Sequence, residues 1–109
     1  MAAEKVFENK IKKHLRDHGA YFLKYWAGAQ FTKSGVPDIL ACVNGYFVGI
    51  EVKAQNGKPS ELQLYNIRQI RKAGGFGYVV YPSGWERFKE IIDDLLIEQF
   101  NREGEMILK

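Results

Sequence analysis

The sequence predicts an α/β domain with the element order α-β-β-β-α-β-α, and three observations carry that prediction. Apolar residues recur at helical spacing near both ends of the chain. The middle holds two strand-like runs, DILACV and YFVGIEVK, joined by Asn44-Gly45. A helical segment then precedes a further strand, FGYVVY. At 109 residues the chain is expected to be one domain, 1–109, with a single core.

Each element has its own signal. From about Glu4 to His18, Phe7, Ile11, Leu15 and His18 share one helical face, and Gly19 supplies a stop. YFLKYW (21–26) is aromatic-rich and reads as a strand, with its rings most simply assigned to the core. AGAQFTKSGVP (27–37) is a loop, and so is AQNGKP (54–59). Ser60 to Ala73 reads as a helix and residues 76–81 as a strand. Ser83 to about Asn101 is strongly amphipathic through Phe88, Ile91, Ile92, Leu95, Leu96 and Phe100, and Ser83-x-x-Glu86 suggests a capping box at its start. The terminal EMILK has no clear assignment.

Composition excludes several classes. No apolar stretch approaches the roughly 18 residues a membrane span needs. MAAEKVFENK lacks the apolar centre of a secretory signal, and the single Cys42 cannot form an internal disulfide. An intracellular location is expected, associated with the nucleoid if the source is bacterial or phage. Charge is uneven: residues 1–81 carry twelve Lys or Arg against six Asp or Glu, whereas residues 82–109 carry four against seven. A basic face of this kind suits a polyanion, although mildly basic solvated surfaces are common.

The hairpin is the informative part. Asn-Gly between two strands favours a type I′ turn, with positive φ at both central residues. Val43 then faces Tyr46, and continuing that register puts Asp38 opposite Glu51. Facing residues share one face of the sheet, and the period of two adds Lys53 to them. The opposite face collects Ile39, Ala41, Val43, Val48, Ile50 and Val52, a set suited to packing under a helix. Two facing carboxylates repel, increasingly so as water is excluded. One reading is an ordinary surface cluster neutralised by Lys53, or a bulge that turns one residue away. The other is a divalent-metal site, in which Asp38 and Glu51 supply hard oxygen ligands for Mg²⁺ or Mn²⁺ and Lys53 assists at phosphorus.

Gly35-Val36-Pro37-Asp38, then Glu51-Val52-Lys53, then Gln63 in Ser60-Glu61-Leu62-Gln63, resemble the PD-(D/E)xK nuclease superfamily. Within it they are similar to the virus-type replication-repair nuclease (VRR-NUC) domain, over about Glu8 to Pro82, and Holliday-junction resolvases share the element order. The resemblance implies a restriction-endonuclease-like core with a mixed central sheet flanked by helices. It also implies Mg²⁺- or Mn²⁺-dependent hydrolysis of DNA. Asp38 and Glu51 would be metal ligands, the Val52 carbonyl a backbone ligand, and Lys53 the catalytic lysine. The family's first helix usually carries a glutamate, and Glu8 stands at the matching place, with Glu4 as the fallback. At roughly 100° per residue Glu8 lies about 20° from Leu15, at the border of the apolar face. Gln63 is assigned to the catalytic site, although Ser60-x-x-Gln63 is also a capping box.

DNA contacts are expected from Lys5, Lys12 and Arg16 on the flank of the first helix away from Glu8, from Lys33 and Ser34 in the loop, and from Arg68, Arg71 and Lys72. The expected substrate is double-stranded or branched DNA, cut at flaps or four-way junctions with low sequence specificity. A homodimer is expected, using the apolar face of the last helix together with MIL (106–108). No Walker pattern is present, so no nucleotide cofactor is expected. The alternative is a DNA-binding module with an inactive nuclease fold; a protein without any nucleic-acid role is a third reading. His14 and His18 are spaced i, i+4, but no further histidine and no suitable cysteine exists to complete a zinc site, so ligation is not expected. Cys42 reads as a small core residue.

Overall fold

The computed structural model describes residues 2–26, 33–99 and 106–107. Helix α1 spans Ala2–Asp17, followed by strands β1 (Tyr21–Lys24), β2 (Ile39–Val43) and β3 (Tyr46–Val52), helix α2 (Glu61–Lys72), strand β4 (Phe76–Val80) and helix α3 (Trp85–Leu96). The strands form one mixed sheet in the order β1-β2-β3-β4, antiparallel except for the parallel β3/β4 pair. This is the predicted fold class, a mixed sheet flanked by helices in the order α-β-β-β-α-β-α.

The hairpin follows the expected register. Asn44 and Gly45 both take positive φ, 50° and 88°, and Val43 pairs with Tyr46 through to Ile39 with Ile50. Asn44 is also fastened to the far side of the domain, its side-chain amide donating to the carbonyls of Leu95 and Glu98. The turn residue therefore satisfies the Leu95 carbonyl in the last turn of α3 and the Glu98 carbonyl just beyond it. Ile39, Ala41, Val43, Val48, Ile50 and Val52 are all buried, in one cluster with Phe7, Ile11 and Leu15 of α1 and Phe88, Ile92 and Leu95 of α3.

The other face carries α2, packed closely on β3 and β4. A methyl group at Gly49 would lie 2.5 Å from Ile70 Cδ1, so the absence of a side chain there sets the approach of the helix. Gly35 does similar work at the far end of α2: its φ is +79°, and an added Cβ would meet Leu62 Cγ at 2.5 Å. The glycine of Gly-Val-Pro-Asp thus brings the chain in beneath α2 just before Asp38.

Several expectations are corrected. Cys42 is exposed, because Ala41 and Val43 take the inner positions and strand alternation turns it to the outer face. Tyr21 and Leu23 share that outer face and are more than half exposed; Trp26 lies beyond the end of β1, 69% exposed. The aromatic strand is therefore mostly not core: it is the sheet edge, and α2 lies over β3 and β4 instead. Ser83 caps nothing. Pro82–Gly84 form a short 3₁₀ turn, α3 begins at Trp85 without a side-chain cap, and Glu86 pairs with Lys89. Ser83 instead exchanges hydrogen bonds with the Gln55 side chain. Phe88, Ile92 and Leu95 of α3 are spent on the core, which leaves Ile91 and Leu96 half-buried and Ile97 exposed of the apolar face expected to serve a dimer. Met106 and Ile107 are exposed, while Phe100, Asn101 and the rest of EMILK lie outside the described residues, as do residues 27–32 of the loop. Among the described residues no helix is long and apolar enough to cross a membrane.

Candidate active site

One step beyond the Ile39/Ile50 pair, the hairpin brings Asp38 and Glu51 together at the end of the sheet. Asp38 Oδ2 accepts a hydrogen bond from the Val52 amide at 2.8 Å, and its backbone carbonyl accepts one from the Tyr25 amide. The carboxylate is thereby fixed by β3, and the Asp38 backbone by the residue that follows β1. Glu51 is only 2% exposed. Its Oε2 accepts from Gln63 Nε2 at 3.0 Å and lies 3.6 Å from Lys53 Nζ, whereas its Oε1 is buried with no hydrogen-bond partner among the described residues. The Lys53 backbone amide continues the β3/β4 ladder by donating to the Val80 carbonyl, which holds the base of its side chain in place.

Gln63 both caps α2 and contacts Glu51. Its Oε1 accepts from the Ser60 amide and its own amide donates to Ser60 Oγ, which is a complete capping box. Its Nε2 is left to reach Glu51. Because an amide side chain has separate donor and acceptor ends, the start of α2 and the orientation of Glu51 are set by one residue.

Glu8 lies on the α1 side of the sheet, buried at 5% exposure, and collects three ammonium groups. Lys12 Nζ and Lys24 Nζ approach to 2.8 Å and Lys5 Nζ to 3.3 Å. This corrects the expectation that Lys5 and Lys12 occupy the opposite flank. They stand three residues before and four after Glu8, which is the spacing that puts side chains side by side on a helix. Arg16 does lie away from Glu8, its guanidinium 5.4 Å from the Phe22 ring centre. Lys24 Nζ is also 3.6 Å from Asp38 Oδ1, so it links Glu8 to the sheet-end cluster. Lys24 was not anticipated as a site residue; the available signal was that it is the single charged residue in YFLKYW.

The remaining basic residues are more dispersed. Lys33 and Ser34 are exposed, with the Lys33 carbonyl accepting from the Tyr25 hydroxyl. Arg68 and Lys72 are exposed on α2, roughly one and a half and two and a half turns beyond Gln63. Arg71 is used within the fold: its Nε donates to the Gly77 carbonyl at 2.7 Å and its guanidinium lies over Tyr78.

Electrostatics divide the carboxylates. Burial pushes the Glu51 carboxyl up to about 8, the facing Asp38 adds to the rise, and Lys53 offsets only part of it. Burial also acts to raise Glu8, but hydrogen bonds from Lys12 and Lys24 outweigh it and hold that carboxyl at about 2. Lys24, desolvated yet paired with Glu8 and Asp38, is shifted upward and stays charged. The unmet demand for positive charge is therefore located at Glu51. Hard carboxylate oxygens with one buried atom unpaired fit a Mg²⁺ or Mn²⁺ ion, with Asp38 and Glu51 as ligands.

No curated protein matches the chain. Among protein families, residues 3–81 match the archaeal Holliday junction resolvases, which hold all of the sheet and the cluster at its end. Holliday-junction resolvases share the element order with the VRR-NUC domain, and the members of the matched family are nucleases that act on branched DNA. By that match, which extends over well over half of its length, the chain belongs to the archaeal Holliday junction resolvase (Hjc) family.

Proposed function

We propose that this protein is a metal-dependent endonuclease that resolves branched DNA, four-way junctions above all, with low sequence specificity. The observation that carries the reading is the Asp38–Glu51–Lys53–Gln63 cluster, with Glu51 Oε1 buried and unpaired. When bound, Mg²⁺ or Mn²⁺ would polarise the scissile phosphate and lower the pKa of the attacking water. Asp38 and Glu51 would hold the cation, and the family resemblance adds the Val52 carbonyl. Gln63 keeps Glu51 from rotating. The Lys53 ammonium orients the water and offsets charge that develops on the phosphoryl oxygens. Glu8, tied through Lys24 to Asp38, fixes the position of that carboxylate relative to α1.

DNA backbone would run across the exposed basic groups Lys5, Lys33, Arg68 and Lys72 and beside Arg16, with Ser34 at the loop. Contacts of this kind read phosphate and shape more than base edges. The VRR-NUC resemblance, carried by GVPD and Gln63, belongs to the same reading, because it implies the same hydrolysis of DNA. A homodimer would place two such clusters on one junction; sedimentation at a monomer mass at micromolar concentration would count against it.

The test is cleavage of labelled four-way junction, flap, nicked and linear duplex DNA in Mg²⁺, Mn²⁺ or EDTA, with Lys53→Ala alongside. Metal-dependent cutting of the junction that disappears in Lys53→Ala is expected. Tight binding without cleavage in either metal would favour the inactive binding module.

A further inference from the structure

A second constellation lies away from the sheet-end cluster. His14, at the half-buried face of α1, and His18, just past its end, sit close to Asp93 of α3, and one potential ligand atom from each lies within 4.8 Å of the others. The sequence offered only the histidine pair; the third donor comes from α3, nearly eighty residues later, and is a carboxylate rather than Cys or His.

Two details distinguish this group from an incidental surface cluster. His14 Nε2 is buried and has no hydrogen-bond partner among the described residues, which is costly for an imidazole nitrogen unless something binds it. His18 Nδ1 lies 2.8 Å from the His14 carbonyl, and since a carbonyl only accepts, Nδ1 carries the proton. The lone pair of His18 is thereby on Nε2, the tautomer seen where a histidine binds metal while its other nitrogen is anchored to a backbone carbonyl. Burial above all holds His14 below its usual protonation range, against the opposing pull of Asp93 and Asp17, so it is neutral at neutral pH.

We propose that His14, His18 and Asp93 form a binding site for a divalent transition metal of the zinc class, which fastens the end of α1 to α3. Two imidazoles and one carboxylate suit Zn²⁺, Ni²⁺ or Co²⁺ better than Mg²⁺, so the chain holds two chemically distinct cation sites. Tetrahedral donors at Zn–N and Zn–O distances of about 2.1 Å stand roughly 3.4 Å apart. Asp93 is exposed and closes that remaining gap by side-chain rotation, while His18 turns only about its anchored Nδ1. Water fills the fourth position. The inference is independent of the nuclease reading, since it shares no residue with that cluster.

The experiment is calorimetric titration of Zn²⁺ alone into the Asp38→Asn/Glu51→Gln protein, whose sheet-end carboxylates are neutralised, and into the same protein carrying His18→Ala or Asp93→Asn. Both added substitutions are at exposed positions and leave the core intact. Trp85, whose ring centre is 5.4 Å from that of His14, gives a second readout, because Ni²⁺ bound there quenches its fluorescence; Trp26→Phe removes the other tryptophan. One equivalent of Zn²⁺ is expected to bind, with affinity falling about tenfold or more in each added variant and Ni²⁺ quenching lost in parallel. Absence of saturable binding, or unchanged affinity in either His18→Ala or Asp93→Asn, would overturn the three-ligand site.

Discussion

Glu51→Gln should stabilise the metal-free protein at alkaline pH while abolishing cleavage. The Glu51 carboxyl titrates at about 8 in the fold, against 4.5 for an ordinary glutamate. Between those values the native state holds a proton that the unfolded chain has released, so stability falls as pH rises through the window and is flat beyond it. At about 1.4 kcal/mol per pH unit the span corresponds to a ceiling of roughly 5 kcal/mol. Water drawn toward the charged group lowers the expected loss to about 3 kcal/mol. An amide at this position still accepts from Gln63 but carries no charge, so the loss should vanish. Two other groups enter the comparison. Glu8, held at about 2, contributes stability that is complete above 4.5 and lost only as pH falls toward 2, so it is constant across the window. His14 is shifted down from 6.5 and favours the fold as pH rises, opposite in sign to Glu51. Both are present in wild type and variant and cancel in the difference. Urea unfolding in EDTA at pH 5 and pH 9 measures it: with a slope of about 1.5 kcal/mol/M, the midpoint advantage of Glu51→Gln should grow by about 2 M between the two pH values. Parallel pH profiles for the two proteins would refute the account of Glu51 as a buried, under-compensated carboxyl.

Other perturbations test separate parts of the structure. Lys53→Ala should reduce junction cleavage at least about a hundredfold while leaving Mn²⁺ binding by calorimetry in place. Gln63→Ala removes both the capping box and the donor to Glu51, and chemical denaturation at pH 5 should show a cost of about 1–2 kcal/mol. Asn44→Ala loses the bonds to the end of α3 and the polar side chain that lets asparagine tolerate φ 50°, for about 2–3 kcal/mol, whereas Asn44→Gly also loses the bonds but relieves the Cβ at that φ and should cost about 1 kcal/mol less. Gly49→Ala should destabilise by about 1–3 kcal/mol through the 2.5 Å contact with Ile70 Cδ1, and Ile70→Val, which deletes that atom, should recover part of the loss in a double-mutant cycle.

The parts of the fold written in local chemistry could be read directly. Asn44-Gly45 fixed the register because only a narrow set of residues tolerates two successive positive φ values, and the register in turn placed Asp38 opposite Glu51. Ser60 and Gln63 marked the start of α2 for a similar reason, since a capping box is satisfied within four residues. Features that depend on how layers cover one another could not be read this way. Cys42, Tyr21 and Leu23 resemble core residues by composition, and only the position of α2 over β3 and β4 shows that their face is left open. Ser83-x-x-Glu86 satisfied the capping pattern, but Gln55 from a distant loop engages Ser83 and Pro82 turns the chain into a 3₁₀ segment. Asp93 was invisible for the same reason, and Lys24 showed only as the lone charge in YFLKYW: each takes its neighbours from another element.

The contrast between Glu8 and Glu51 bears most directly on which carboxylate is reactive. Both are buried in the same small domain and both have lysines nearby, so burial alone cannot distinguish them. Glu8 is met by three ammonium groups, two of them at hydrogen-bonding distance of 2.8 Å, and its charge is compensated within the chain. Glu51 receives a neutral amide at 3.0 Å, while its nearest ammonium stands at 3.6 Å, its second oxygen has no hydrogen-bond donor among the described residues, and the Asp38 carboxylate faces it. A carboxylate kept only for structure would be destabilising in that setting, because an ion pair of imperfect geometry does not recover the desolvation of its partners. A fold could remove that cost by exchanging Gln63 for a cation or by letting Lys53 close in. Instead the capping box holds Gln63 in the first role, and the β3/β4 ladder restrains the backbone of Lys53. The deficit at Glu51 is thus built into elements that the fold requires for other reasons, and a divalent cation bound between Glu51 and Asp38 would relieve it.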